Sequence, residues 1–152
     1  MSSRKNKKDQ AANNMEIYLP ENKEEINLNF YANSIPAGFP SPADDFLEKQ
    51  LDLNDYLIGN KAATFLVKVE GRSMENAGIY DGDVLVIDRS VEPVNGKVIL
   101  GVLNGEFTVK RISMQGSKVL LVPENEDFQP IELTEEMDFK IWGVATFSLH
   151  RL

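Results

Sequence analysis

The sequence contains no cysteine and only one histidine, His150. Without cysteine the chain cannot form disulfides or thiolate metal sites, and one histidine is too few for a histidine-rich metal cluster, so we expect no cofactor. No apolar run approaches the roughly 18 residues that a membrane-spanning helix needs. The N-terminus also lacks the apolar segment of a secretory signal. These absences favour a cytoplasmic protein.

Basic residues are fewer than acidic ones: the chain has 16 Lys and Arg and 24 Asp and Glu, which gives a formal net charge of −8. Because Lys and Arg dominate phosphate binding, we expect no direct, sequence-specific DNA binding by such a chain. Four basic residues do cluster near the N-terminus, namely Arg4, Lys5, Lys7 and Lys8. This cluster fits either a nucleic-acid arm or a solvated tail, and we favour the tail.

Residues 1 to about 36 are polar and show no sustained apolar period. They predict an extended arm with short ordered patches at Ile17–Leu19 and Ile26–Tyr31. The arm is too short and irregular for a helix-turn-helix domain. After it, a Ser41-Pro42 pair with acidic residues behind it is typical of a helix start, and we predict a helix from Ser41 that ends before Asn54.

The chain from residue 63 onward carries β signals broken by turns every 8–12 residues. The predicted strands are Thr64–Val69, Val84–Ile87, Lys97–Leu103, Glu106–Ile112, Lys118–Val122, Ile131–Leu133 and Phe139–Leu149. Asn104-Gly105 is a strong hairpin signal, because both residues tolerate a positive φ. The pattern predicts a mainly all-β fold, in which a compact and mostly antiparallel sheet folds on itself.

Several kinds of catalytic site are missing from this sequence. A Ser-His-Asp triad needs a fixed histidine, and His150 lies two residues from the C-terminus. The acidic residues show no grouping that predicts a glycosidase pair. Gly71-Arg72-Ser73 lacks the Gly-Lys-Ser/Thr ending of a phosphate-binding loop. Serine paired with lysine, a recognised variant of the triad, remains.

Ser73 and Lys110 are the candidates for such a pair. Ser73 follows a β run and Gly71, whose sharp turn could present the hydroxyl beside backbone N–H groups, its own included, as an oxyanion hole. The alternative is a serine that caps a short helical turn through Met74–Ala77. Lys110 shares a strand face with Thr108, and burial there would lower its pKa. The alternative is an edge-strand lysine in water, and neither residue is persuasive alone.

Five segments occur in an order that is much more specific than any one of them. They are Gly38-Phe39-Pro40-Ser41-Pro42-Ala43-Asp44, Leu51-Asp52-Leu53-Asn54, Gly71-Arg72-Ser73-Met74, Gly78-Ile79-Tyr80-Asp81-Gly82-Asp83 and Gly105-Glu106-Phe107-Thr108-Val109-Lys110. Together they resemble the UmuD branch of the LexA/UmuD family of self-cleaving serine peptidases. The resemblance runs from about Ala37 to the C-terminus.

This resemblance implies that Ser73 is the nucleophile, that Lys110 is the general base and that Ala37–Gly38 is the bond cut. It implies a flexible arm of residues 1–37, removed by the cut, and a β-rich peptidase domain of residues 38–152. It also implies a homodimer whose cleavage is stimulated by a RecA filament on single-stranded DNA. The processed form would join a UmuC-like Y-family DNA polymerase in translesion synthesis during the SOS response.

Two features depart from the family pattern, and three other functions compete with it. Ala37 stands where UmuD proteins usually have cysteine, and residues 1–14 match nothing in the family. A LexA-like repressor needs a DNA-binding domain that the polar arm cannot supply. A signal peptidase needs a membrane anchor. A non-catalytic adaptor with a vestigial Ser-Lys pair stays open from sequence alone.

Overall fold

The computed structural model describes residues 17–18, 25–31, 34–40 and 48–152. These residues form two compact units, one built from those among 1–20 and 60–152, the other from those among 21–59. The predicted boundary between residues 37 and 38 is a cleavage boundary, which folding units do not test, so it stays a prediction. Within the described residues, no helix has both the length and the hydropathy of a membrane-spanning segment.

Ten strands and one short α-helix lie in the described part of the chain. The strands are β1 (Ile17–Tyr18), β2 (Asn27–Tyr31), β3 (Glu48–Asp52), β4 (Thr64–Lys68), β5 (Val84–Asp88), β6 (Val98–Leu103), β7 (Glu106–Gln115), β8 (Lys118–Val122), β9 (Ile131–Glu132) and β10 (Phe139–Leu149). The helix α1 spans Leu53–Leu57, and two 3₁₀ helices span Lys61–Ala63 and Glu75–Ala77. The strands predicted beyond residue 63 are all present, with shifts of one to three residues at some ends.

The first unit is an eight-stranded sheet in the order β1-β4-β5-β10-β6-β7-β8-β9, and every pair in it is antiparallel. This confirms the predicted all-β, antiparallel fold. The register of β10 shifts twice, between Ile141 and Gly143 against β6 and between Ala145 and Phe147 against β5. Such irregularities bend a strand and increase its twist, which suits a strand that lies at the centre of a sheet folded on itself.

The sheet is buried on both faces, because adjacent residues of its inner strands belong to different core clusters. On β6, Leu100 packs in a cluster with Phe65, Leu85 and Ile87, whereas its neighbour Ile99 packs in a second cluster. The second cluster is formed by Ile99, Ile112, Leu121 and Val144. Successive strand residues point to opposite faces, so a continuous apolar run can serve two cores at once.

The predicted hairpin at Asn104-Gly105 joins β6 to β7. Asn104 has a φ of 48° and Gly105 a φ of 83°. Two consecutive positive φ values match the right-handed twist of the flanking strands. The tight turn sets the pairing of Leu103 with Glu106 and of Ile99 with Lys110, so this local signal determines where Lys110 lies.

The predicted helix from Ser41 is wrong over residues 48–52, and residues 41–47 lie outside the described residues. The second unit pairs β2 with β3 in an antiparallel ladder, and α1 begins only after β3. Asp52 caps α1, since its side chain accepts a hydrogen bond of 2.8 Å from the Asn54 N–H. Strand pairing satisfies the backbone of residues 48–52, and the effective cap lies eleven residues after Ser41.

Two glycines of the sheet give a graded test of its packing. A Cβ on Gly143 would lie 2.5 Å from Ile87 Cγ2 and 3.3 Å from the Asp88 backbone oxygen, whereas one on Gly101 would meet the ring tip of Phe139 at 2.6 Å. The Phe139 ring is only half-buried and can move, but the Ile87 methyl and the backbone cannot.

We expect Gly143→Ala to lower the free energy of unfolding by about 1–3 kcal/mol and Gly101→Ala by less. Urea unfolding followed by fluorescence of the single tryptophan, Trp142, measures both, and equal effects would contradict this packing.

Candidate active site

Ser73 lies on a turn that is fixed by the backbone after β4. The Val69 N–H donates to the Asp83 carbonyl and the Gly82 N–H donates to the Val69 carbonyl, both at 2.8 Å. Gly71 then turns the chain with a φ of 93°, which favours glycine. Ser73 does not cap the 3₁₀ helix Glu75–Ala77, because Met74 occupies the cap position and no side chain caps that helix.

Lys110 lies on β7 and pairs there with Ile99 of β6, while the pairing of β7 with β8 starts at the next residue, Arg111. The Lys110 side chain is half-buried, which distinguishes it from an edge-strand lysine in water. Its Nζ is 3.1 Å from Ser73 Oγ, 3.2 Å from Thr108 Oγ1 and 3.0 Å from the Val109 carbonyl oxygen. No carboxylate among the described residues forms an ion pair with it. Burial lowers the pKa of Lys110, because desolvation disfavours the charged ammonium.

A cleft of about 220 Å³ surrounds this pair. It is lined by Lys68, Val69, Glu70, Gly71, Ser73, Met74, Phe107, Thr108, Val109 and Lys110. Met74, the residue after Ser73, is buried in the core and anchors the turn there. Within the described residues the Ser73 backbone N–H donates no hydrogen bond to a backbone carbonyl, so it stays a candidate donor for an oxyanion.

A buried carboxylate, Asp83, lies just before β5. Only 2% of Asp83 is exposed. It accepts hydrogen bonds from the Tyr80 N–H at 2.8 Å and from Ser148 Oγ at 3.2 Å, and it contacts His150 Nδ1 at 2.6 Å. Burial alone would raise the pKa of Asp83, but these bonds to Tyr80, His150 and Ser148 outweigh it and lower the pKa. The carboxylate therefore ties Ser148 of β10, and His150 just after that strand, to the start of β5.

The predicted cleavage site lies in the second unit. Residues 34–40 are all exposed, and residues 37–39 form a bend. The flanking Pro36 and Pro40 predict an extended segment between them. That prediction is wrong over residues 37–39, where the chain bends. A proline ring fixes its own φ and restricts the residue before it, so Ala37 and Gly38 remain free to turn. That Ala37–Gly38 is the bond cut stays a prediction.

A family model described as Peptidase S24-like matches residues 29–146, which is more than three quarters of the chain. The chain belongs to this family. It is 40% identical over 121 residues to Protein MucA of Salmonella typhimurium, a match that covers 79% of this chain and 82% of MucA. Protein SamA of Salmonella typhimurium is also 40% identical over 121 residues, covering 80% of this chain and 84% of SamA.

The repressor branch is similar over a smaller share of its length. The LexA repressor of Bordetella avium is 37% identical over 121 residues, which cover 76% of this chain and 56% of that repressor. The predicted UmuD-like character is thereby confirmed, and the chain is a peptidase of the LexA/UmuD kind. The individual roles of Ser73 and Lys110 within it stay predictions.

The sequence does not reveal the role of Asp83 and His150. The position of His150 near the C-terminus argues against a catalytic base, and Asp83 stands out only as part of a family segment. Nothing in the spacing indicates that residues 67 apart meet. A buried carboxylate needs partners, but only the fold reveals that Ser148, near the end of β10, and His150, just after it, supply two of them.

Replacing Asp83 by asparagine tests its structural role. The amide would carry no charge and would leave the former donors to the carboxylate poorly matched in a buried site, so we expect Asp83→Asn to lower the free energy of unfolding by about 1–3 kcal/mol. The matched control is Asp138→Asn, because the Asp138 side chain is exposed. Urea unfolding of both variants measures the difference. Equal stabilities would show that the Asp83 contacts contribute nothing.

Proposed function

We propose that this protein is a self-cleaving serine peptidase that hydrolyses its own Ala37–Gly38 bond, with Ser73 as nucleophile and Lys110 as general base. The observation that carries the proposal is the 3.1 Å distance between Lys110 Nζ and Ser73 Oγ, at a lysine whose pKa is lowered by burial. Hydrogen-bond reach between a nucleophile and a base of suitable pKa is the geometric requirement for this chemistry.

The contacts of Lys110 suit a neutral amine. An amine has two N–H donors and one lone pair, whereas an ammonium has three donors and no acceptor. The Val109 carbonyl and Thr108 Oγ1 lie where the two donors can be satisfied. The lone pair is then left for the hydroxyl proton of Ser73. Because no carboxylate among the described residues pairs with Lys110, no opposite charge there offsets the cost of burying an ammonium.

In the first step Lys110 takes the proton of Ser73 as Oγ bonds to the Ala37 carbonyl carbon. The tetrahedral oxyanion accepts a hydrogen bond from the Ser73 N–H, which has no backbone acceptor among the described residues. The bond from the Ala37 carbon to the Gly38 nitrogen then breaks, and Lys110 gives its proton to that nitrogen. The products are an ester between residues 1–37 and Ser73, and a new N-terminus at Gly38.

In the second step Lys110 takes a proton from water, whose oxygen attacks the ester carbon. The proton returns to Ser73 Oγ, and the arm of residues 1–37 leaves with a carboxylate. Of the 152 residues, 152 − 37 = 115 remain in the product. A tethered substrate meets the nucleophile at high effective concentration, so a cleft of modest size suffices for recognition.

The biological setting follows from the UmuD-like relatives as part of the same proposal. The protein would act as a homodimer in the SOS response, and a RecA filament on single-stranded DNA would stimulate the cut. The processed form would join a UmuC-like Y-family polymerase in translesion synthesis. The rival adaptor with a vestigial pair requires a solvated Lys110 beyond the reach of Ser73, and the burial and the 3.1 Å distance argue against it.

Self-cleavage of the purified chain should accelerate as the pH rises. The lowered pKa of Lys110 means that its neutral fraction grows as the pH approaches and passes that pKa, after which the rate should level off. Mass spectrometry and N-terminal sequencing should give a product that begins at Gly38. Ser73→Ala and Lys110→Ala should each slow the cut by at least about a thousandfold.

The matched controls are Ser113→Ala and Lys118→Ala, which change the same residue types on β7 and β8 outside the cleft. Both should cleave at the wild-type rate. An intact mass after long incubation at alkaline pH, or cleavage that survives in either cleft variant, would contradict the proposed function.

A further inference from the structure

The loop after β8 is bonded directly to the turn that carries Ser73. The Glu124 N–H donates to the Ser73 carbonyl at 2.8 Å, and the Asn125 side-chain amide donates to the Arg72 carbonyl at 2.8 Å. In return the Asn76 N–H donates to the Glu124 carbonyl at 2.8 Å. Three hydrogen bonds thus join two segments about fifty residues apart in sequence.

Pro123 explains why the loop leaves the sheet at this point. Arg111 pairs with Val122 and Ile112 with Leu121, so continued pairing would place residue 123 opposite Lys110. Proline has no N–H to donate to the ladder, and β8 ends at Val122. The backbone N–H of Glu124 is then free to reach the Ser73 carbonyl instead.

Arg111 holds this loop from the strand that also carries Lys110. Its guanidinium forms an ion pair with the Glu124 carboxylate and donates to the Gly96 carbonyl at 2.6 Å. Adjacent strand residues point to opposite faces. Strand β7 therefore directs Lys110 to Ser73 Oγ on one side and fixes Glu124 through Arg111 on the other.

We propose that Arg111, Glu124 and Asn125 form a positioning clamp that sets the orientation of the two peptide planes flanking Ser73. The proposal rests on the proposed function. The Arg72 carbonyl and the Ser73 N–H belong to one planar unit, and the Ser73 carbonyl and the Met74 N–H belong to the next. The Asn125 side-chain amide holds the first plane by donating to the Arg72 carbonyl. The Glu124 backbone N–H holds the second plane by donating to the Ser73 carbonyl.

The clamp therefore fixes the direction of the Ser73 N–H, which is the donor proposed for the oxyanion. A preorganised donor contributes to catalysis only if it points to where the charge develops. The three residues act on Ser73 through the backbone and do not touch the substrate, so they are positioning residues.

The sharpest test is Asn125→Asp in the full-length protein. An aspartate has the same shape and still accepts the 2.9 Å hydrogen bond from the Asp127 N–H. It cannot donate to the Arg72 carbonyl, so that one bond is lost. The matched control is Asn104→Asp, because Asn104 Oδ1 also accepts a 2.9 Å bond from a backbone N–H, that of Asp138, at the distant hairpin.

The readout is the rate constant with which a fluorophosphonate esterifies Ser73, with loss of fluoride, measured across the pH range by intact mass. A new negative charge near Lys110 would move the midpoint of the pH profile, whereas misdirection of the Ser73 N–H lowers its alkaline plateau. Partial unfolding would instead lower the final labelled fraction. The added charge also repels the developing oxyanion, so the uncharged variant Asn125→Ala, which loses the same donor, has to lower the plateau as well for the effect to be assigned to the Ser73 N–H.

We expect the plateau rate constant of Asn125→Asp to fall at least about tenfold, with full final labelling and a wild-type result for Asn104→Asp. Glu124→Gln, which removes only the ion pair with Arg111, should lower the plateau rate constant less than Asn125→Asp does. If Asn125→Asp does not fold, the plateau of Glu124→Gln tests the clamp. Plateaus equal to wild type, or lower final labelling at an unchanged rate constant, would overturn the clamp. Absence of labelling at Ser73 in the wild type would instead overturn the proposed function.

Discussion

The contact between Lys110 and Ser73 requires a half-buried amine, whose charged form is stabilised less well by water than it would be on an open surface. Burial lowers the pKa of Lys110, and the 3.1 Å approach to Ser73 Oγ is useful to a hydrolase only for that reason. An ion pair with a carboxylate would restore the charge, and the described residues offer none. The rest of the first unit holds this amine and this hydroxyl together. The apolar core lies on one side of the pair and the cleft on the other.

The sheet supplies that environment through strands that are buried on both faces. An internal strand, β7, carries Lys110, and the tight Asn104-Gly105 turn sets its register. The Ser73 turn is supported by the buried Met74 and by the backbone bonds that Val69 makes with Asp83 and Gly82. The loop after β8 bonds to the Arg72 and Ser73 carbonyls. Supports from several distant parts of the chain converge on two side chains, which is what a preorganised site requires.

Much of this could be predicted from local signals. Turn chemistry at Asn104-Gly105 and alternating or continuous apolar runs predicted the strands beyond residue 63, since both depend on neighbours in sequence. The ordered segments predicted the family and identified Ser73 and Lys110 as a candidate nucleophile and base. The helix predicted from Ser41 was wrong over residues 48–52, because a partner strand outweighed a local cap signal. The contacts of Asp83 with His150 and of Glu124 with Ser73 could not be foreseen, since they depend on where the chain returns after many residues.

The central claim is that Lys110 is poised as a neutral base, and its ionisation can be measured directly. An NMR titration of the Lys110 side chain, followed through its ε-carbon in the Ser73→Ala variant so that the chain stays intact, gives the pKa in the folded protein. The assignment comes from the signal that is lost in a second variant with Lys110→Arg. We expect a midpoint below the ordinary lysine value of 10.5. A midpoint at or above that value would contradict the central claim, since Lys110 would then remain charged beside Ser73.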